Sequence, residues 1–218
     1  MSHRIVVITG ATGGLGQAVV DAFGNAGDTV VEVSRSASEF SADLTDPIQA
    51  EDTLRRILDR HKRIDVLVHV LGGFSSGGDV STTSLATWER MMNVNFQAAL
   101  YVFRAALPPM LEAKRGRLIA VGARTGVQPT AGLGAYGVSK AALNALVQTI
   151  ALEVKDSGVT ANVVLPGTIK TETNVASARP EEAAAWVEPA SIAEVILWLA
   201  SDAAADVNGA LLPVHGRS

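Results

Sequence analysis

Arg4-Ile-Val-Val-Ile-Thr9-Gly10-Ala-Thr12-Gly13-Gly14-Leu15-Gly16 opens the chain and decides its fold. Residues 4–9 form a short β-branched run that predicts a strand, and four glycines crowd the next seven positions. Val19, Val20 and Phe23 then carry a helical pattern to the stop signal Asn25-Ala-Gly27. Strand, glycine-rich turn and helix in this order suit an anion. Glycine lets the backbone turn sharply and approach a phosphate, while the free N–H groups at the helix start and the helix dipole attract negative charge. A tight turn without a ligand is the alternative that the glycines alone leave open.

The second strand, Thr29-Val-Val-Glu-Val-Ser34, ends where a dinucleotide fold meets the adenosine ribose. A carboxylate there would select NAD(H). The sequence instead has Ser34-Arg35-Ser36, with a guanidinium suited to a 2′-phosphate, so NADP(H) is favoured over NAD(H). Glu32, one pleat back, keeps NAD(H) open. The segment from Ala37 to Ala42 is too short for a crossover helix, so the second βαβ unit is trimmed before Asp43-Leu44. Asp46-Pro47 supplies an N-cap and a first-turn proline for a helix through Leu54, Ile57 and Leu58 to His61.

The next strand, Ile64 to Val70, runs into Leu71-Gly72-Gly73-Phe74, and a Gly/Ser loop from Ser75 to Thr83 leads to a long helix. Trp88, Met92, Ala99 and Val102 mark its apolar stripe. Asn95 falls within that stripe, so its amide must be hydrogen-bonded, either to satisfy nearby backbone or as part of a site. Pro108-Pro109 places a kink or stop near the helix end. Arg117 to Val121 is a strand delivering Gly122 to Gly126 at its carboxyl end. The helix from Tyr136 to Val154 is apolar on nearly every side, which predicts that both faces are covered, one by a second subunit in a homodimer or homotetramer. Thr160 to Leu165 is a strand broken by Pro166-Gly167, and Thr168 to Pro189 is a polar, Thr-rich stretch suited to a lid. A helix from Ile192 to Leu199 and a strand from Ala210 to Val214 close the chain. Strands alternating with helices throughout predict a single-domain α/β fold, a Rossmann-type doubly wound parallel sheet with helices on both faces.

The 218 residues, 48% hydrophobic and 18% charged, are enough to bury one substantial core. No apolar run is long enough for a membrane span, and the chain starts on a strand without a signal peptide, so a cytoplasmic protein is expected. Cysteine is absent, and His3, His61, His69 and His215 are scattered, so no metal site is expected. A net charge of −4 without a dense Lys/Arg run argues against nucleic acid and leaves a small molecule as the partner.

Tyr136 and Lys140 lie one helical turn apart, on one face at a helix start. An ammonium near a phenol favours the phenolate, allowing a proton to be given and regained near neutral pH. Alone, this spacing occurs on any helix.

Four stretches give the spacing its context: Thr9-Gly10-Ala-Thr-Gly-Gly14-Leu-Gly16, Asp43-Leu44, Tyr136-Gly-Val-Ser-Lys140 and Pro166-Gly167-Thr-Ile-Lys-Thr171. In this order they resemble the TGxxxGxG turn, the acidic-hydrophobic pair, YxxxK and the PG segment of the short-chain dehydrogenase/reductase family, along essentially the whole chain. The resemblance implies that Tyr136 donates a proton, that Lys140 holds the nicotinamide ribose and lowers the tyrosine pKa, and that Asn95 orders a proton-relay water. It also implies cofactor contacts by Gly10, Thr12, Gly13, Gly14, Leu15 and Gly16; by Ser34, Arg35, Ser36, Asp43 and Leu44; by Val70, Leu71 and Gly72; and by Pro166, Gly167, Ile169 and Thr171.

Two departures stand out. Ala123 occupies the position of the family's catalytic serine, and His69-Val70-Leu71-Gly72 replaces its NNAG motif. The dihydropteridine reductase branch is similar in the alanine, the Gly-Gly-aromatic stretch, the trimmed second unit and the Tyr-Gly-x-x-Lys start, and its NADH-dependent chemistry acts on a conjugated imine. The expected activity is NADPH-dependent reduction of a carbonyl or conjugated imine. The alternatives are a dihydropteridine reductase-like activity with NADH and a non-catalytic NADP(H)-binding scaffold or sensor. Arg124 is either a contact for an anionic substrate or a solvated loop residue.

Overall fold

The computed structural model describes residues 3–36 and 39–217. Among these, seven strands form one parallel sheet: β1 (Ile5–Thr9), β2 (Thr29–Ser34), β3 (Phe40–Ser41), β4 (Val66–His69), β5 (Gly116–Val121), β6 (Val159–Pro166) and β7 (Leu211–Val214). Their order is β3-β2-β1-β4-β5-β6-β7. β1 pairs with β2 through Val6↔Val30 and with β4 through Val6↔Val66, so the winding reverses between β1 and β4. At such a switch point the flanking connections diverge to opposite faces and leave a crevice at the carboxyl ends of the strands.

The helices are α1 (Gly14–Asn25), α2 (Pro47–His61), α3 (Leu85–Met92), α4 (Ala98–Glu112), α5 (Gly134–Val154), the short α6 (Glu172–Val175) and α7 (Pro180–Ala183), and α8 (Pro189–Leu199). Strand side chains alternate between two apolar layers. Val6, Ile8, Val66 and Val68 pack against Leu15, Val19 and Phe23 of α1 and Ile192 and Ile196 of α8. On the other face, Val7, Leu67 and Leu118 meet Leu54 and Ile57 of α2, Phe103 of α4, and Leu143 and Val147 of α5. Covering both faces explains why the strands read as nearly continuous apolar runs. Each such side chain removed from water contributes about 1.5–3 kcal/mol.

Several local features differ from the sequence expectation. A two-residue strand, β3, follows the trimmed unit and extends the sheet past β2; Ala37 and Ser38 lie outside the described residues. The long helix is interrupted by a π-helical turn at Asn93–Gln97. The extra residue in that turn shifts the stripe, so Met91 rather than Met92 is buried. Pro108 and Pro109 lie inside α4 and do not end it. The last turn is held by Met110, which is fully buried, and by Ala113 N–H donating to Pro109 O at 3.0 Å. The α5 helix is not covered all round: Val138, Ala141, Ala145 and Leu152 form an exposed stripe within one chain. The stretch after β6 is tethered by a bridge between Ile169 and Val187 and carries α6 and α7.

Candidate active site

The crevice is a cavity of about 930 Å³ running from the ends of β1 and β2 to the start of α5. At its centre is the turn before α1. Gly13 occupies the N-cap in extended conformation and contributes no side-chain cap, which leaves first-turn N–H groups for a ligand. Gly10 has φ +71°, and a Cβ there would stand 2.7 Å from Leu71 N. A Cβ on Gly16 would be 2.1 Å from Gly10 O. Side chains are thus excluded from a loop that turns backbone donors toward the cavity, and this cradle fits the pyrophosphate of a dinucleotide.

Thr12, Leu15, Ser34, Arg35, Asp43 and Leu44 wall the end of the cavity nearest β2, and Glu32 does not. Arg35 is exposed. The Ser34 hydroxyl donates to Ser36 O, turning the chain after β2. Asp43 accepts from Thr45 Oγ1 at 2.7 Å and Thr45 N at 3.0 Å. Those bonds, with a smaller contribution from the Arg35 charge, hold its carboxyl below the usual range.

Val70, Leu71 and Gly72 leave β4 along the wall toward Tyr136 and Lys140. The Lys140 ammonium is buried and donates to Val121 O at 2.8 Å. A Cβ on Gly72 would sit 3.0 Å from Lys140 Nζ and 2.9 Å from Asn95 Oδ1, so the loop approaches both side chains closely. Asn95, in the π-helical turn, is fully buried. Its Oδ1 accepts from Gly73 N at 2.9 Å, and its Nδ2 donates to Gly73 O and Ser139 Oγ, both at 3.0 Å. Ser139 then donates to Tyr136 O at 2.7 Å. The Asn95 side chain is therefore a clamp joining the loop after β4 to the first turn of α5.

Electrostatics at this end are set by burial. Desolvation pushes the Tyr136 phenol up to about 12 and the Lys140 ammonium down to about 8. An ammonium that acidifies the phenol, as expected from the spacing, is not the dominant influence in this geometry. Tyr136 also meets Phe74 edge-on, with ring centroids 5.1 Å apart and planes at 72°.

Of the residues expected to contact a cofactor, Gly14, Ser36, Pro166, Gly167 and Thr171 stand outside the cavity wall, whereas Ile169 lies in it. Thr171 nevertheless touches the cradle, since a Cβ on Gly14 would lie 2.8 Å from its methyl group. Its hydroxyl caps α6 by accepting from Asn174 N at 3.3 Å. Ala123, nearly buried, precedes the 3₁₀ turn Arg124–Gly126 and offers only a methyl group. Arg124, partly buried, lies outside the wall.

Sequence reasoning missed Ser139, although its place three residues after Tyr136 puts it on the same helical face. It also missed the partner of His69, which shares a 2.9 Å hydrogen bond with Thr9 Oγ1 and packs edge-on against Phe103. Burial, reinforced by the Lys140 charge, pushes that imidazole down to about 3, so it is neutral at pH 7. A third omission is Asn144, one turn beyond Lys140, whose buried amide lies between Gly122 and Gly126.

Among the described residues no cluster of metal-ligating side chains occurs, and no helix is long and apolar enough to cross a membrane. A sequence profile described as short chain dehydrogenase matches residues 4–182. The chain belongs to the short chain dehydrogenase family. Its relatives there include meso-2,3-butanediol dehydrogenase of Serratia marcescens, 30% identical, with 98% of this chain and 94% of the relative aligned. The 3-oxoacyl-(acyl-carrier-protein) reductase FabG of Vibrio cholerae is 28% identical, over 99% of this chain and 97% of the relative. Among solved structures, a short chain dehydrogenase/reductase family oxidoreductase from Burkholderia thailandensis superposes with a TM-score of 0.88 at 33% identity, covering 99% of this chain and 92% of that one. The structure of ElxO with NADP bound gives 0.92 at 25% identity, covering 98% of each chain. As a short chain dehydrogenase with this Rossmann-type fold, the protein is an NAD(P)-dependent oxidoreductase.

Proposed function

We propose that the protein is an NADPH-dependent reductase of a small-molecule carbonyl or conjugated imine, with Tyr136 as proton donor. The observation that carries this reading is the convergence of Tyr136 and Lys140 in the same cavity as the glycine cradle. When bound, the reduced nicotinamide supplies a hydride to the electrophilic carbon of the substrate. The glycine cradle at α1 holds the pyrophosphate, Asp43 and Leu44 border the adenine, and Arg35 faces the 2′-phosphate. Tyr136, protonated at neutral pH, gives its proton to the substrate heteroatom as charge develops there. Lys140, charged below about pH 8, holds the ribose and favours the anionic phenol left behind. Asn95 and Ser139 keep the first turn of α5 and the loop after β4 in register.

The bound NADP of ElxO and the reductase name of the Vibrio relative support the choice of cofactor and direction. Residues 1–218 act as one cofactor-binding domain in the cytoplasm, with 168–190 as a substrate lid, and α5 pairs with a second copy through its exposed stripe. A non-catalytic cofactor-binding scaffold is the second reading, favoured by the methyl group of Ala123.

Fluorescence titration with NADPH and NADH, joined to a carbonyl and quinonoid substrate panel, tests both readings. Wild type binds NADPH more tightly, and Arg35→Ala weakens NADPH by about tenfold while leaving NADH unchanged, the loss expected for one charge-assisted contact. Tighter NADH binding by wild type overturns the NADPH assignment. Absence of turnover on the whole panel overturns the reductase reading in favour of the scaffold.

A further inference from the structure

The peptide joining Val121 to Gly122 ends β5 and is held from two sides. Its N–H donates to Val164 O on β6 at 2.8 Å, and its carbonyl accepts from the buried Lys140 ammonium at 2.8 Å. Lys140 is therefore placed by a loop end as well as by its own helix. One turn further along α5, on the same helical face, stands Asn144. A Cβ on Gly122 would lie 2.8 Å from Asn144 Oδ1, and a Cβ on Gly126 would lie 2.8 Å from Asn144 Nδ2. The amide is thus wedged between the two ends of the turn 122–126, and glycine at both ends makes room for it.

This wedge is polar where an apolar side chain would fill the same space. Asn144 is 3% exposed, and neither its Nδ2 nor its Oδ1 bonds to a protein group among the described residues. By contrast, Asn95 and Asn162, the other buried asparagines among those residues, use both amide atoms. The Thr125 hydroxyl, in the same turn as the wedge, is a third buried polar atom without a protein partner. Burying an amide without partners is costly, and leucine would avoid that cost at nearly equal volume. A donor and an acceptor beside a hydroxyl are what a buried water takes, since such a water makes about three hydrogen bonds to groups of this kind.

We propose that Asn144 and Thr125 hold a buried water within the turn 122–126, and that this hydrated wedge fixes the Val121–Gly122 peptide against the Lys140 ammonium. Asn144 is then a positioning residue: it touches no reacting atom and acts on Lys140 through Val121 O. The inference rests on the reading of Lys140 as the working cation of the site. Without the water the turn settles around the amide, the Val121 carbonyl turns away, and the ammonium loses an acceptor that favours its charged form. The titratable groups facing Lys140 are Tyr136 on its own helix and His69 at the end of β4. Burial pushes the first up to about 12 and the second down to about 3, so neither changes charge where Lys140 titrates.

Lys140 is read directly by NMR titration from pH 6 to 10 of protein whose lysines carry carbon-13 at Cε, its resonance being the one missing in Lys140→Met. In Asn144→Leu the Lys140 midpoint should fall by about one pH unit, the size of one hydrogen bond to a charged group. In Thr125→Val, an isosteric loss of the hydroxyl, it should fall by less. A high-resolution crystal structure of the wild type should show a water about 2.7–3.2 Å from the Asn144 amide and the Thr125 hydroxyl. A merely structural wedge lowers the unfolding temperature of the variants and leaves the Lys140 midpoint at its wild-type value, which overturns the inference, as does a crystal structure without that water. If leucine prevents folding, Thr125→Val and the wild-type water decide by the same criteria. None of these readouts needs turnover, so a protein that reduces no compound of the panel overturns the reductase reading while the Lys140 midpoints still decide this one.

Discussion

Burial drives the two titratable groups of the site apart, the Tyr136 phenol up to about 12 and the Lys140 ammonium down to about 8. Each shift disfavours the charged form, so at pH 7 the phenol is an intact acid and the lysine remains mostly cationic. The consequence is asymmetric in pH. Reductive kcat/KM, measured from pH 6 to 10, should be level below about 8 and fall as the pH rises through it, because Lys140 loses its charge while Tyr136 keeps its proton. A profile level through pH 9.5 would show that the lysine charge is not used. The tyrosine and lysine were legible as residues because their spacing places them on one helical face. The direction of the tyrosine shift was not, since spacing says nothing about how deeply a phenol is desolvated. Asn95 was legible as a polar residue on an apolar stripe, but its partners, Gly73 and Ser139, depend on packing between segments distant in sequence.

Among the elements, the strand, cradle and helix at the amino end followed most closely from sequence. Glycine at 10 and 16 is required by backbone approach, and the approach distances bear this out. Gly16→Ala would drive a Cβ against Gly10 O, so thermal unfolding should show a loss of about 1–3 kcal/mol, the range for overpacking, together with failure to bind NADPH. Wild-type affinity in that variant would remove the cradle from the cofactor site. The π-helical turn at Asn93–Gln97 left no trace in the hydrophobic pattern, because one additional residue changes the phase of the stripe without breaking it. The prolines at 108 and 109 misled in the opposite sense: local propensity favours a stop there, and burial of Met110 carries the helix one turn further. Strand β3 is only two residues long and was too short to give a periodic signal.

For the molecule as a whole, the parallel doubly wound sheet was legible because both of its faces are buried and the strands are apolar throughout. What joins the centre of that sheet was less visible: neutral His69 on β4 bonded to Thr9 on β1. Its imidazole is pushed from an ordinary value near 6.5 down to about 3, so the unfolded chain takes up the proton first. Stability is complete above pH 6.5 and is lost as pH falls toward 3, with a slope of up to about 1.4 kcal/mol per pH unit from this group. Urea unfolding at pH 7 and pH 5 should show that loss in wild type, and a smaller one in His69→Asn, which retains a polar partner for Thr9. An equal pH dependence in the two proteins would place the sensitivity elsewhere. The exposed Val138, Ala141, Ala145 and Leu152 stripe also belongs to this scale, because the proposed pairing of α5 with a second copy would run through it.

The central claim, that Tyr136 gives the proton in an NADPH-dependent reduction, is tested most directly by steady-state NADPH oxidation in Tyr136→Phe on a substrate that wild type turns over, alongside NADPH titration of both proteins. The phenylalanine variant should bind NADPH as wild type does and lose kcat by on the order of 10²–10⁴, the contribution of a positioned general acid. Turnover unchanged in Tyr136→Phe with cofactor binding intact would contradict the account.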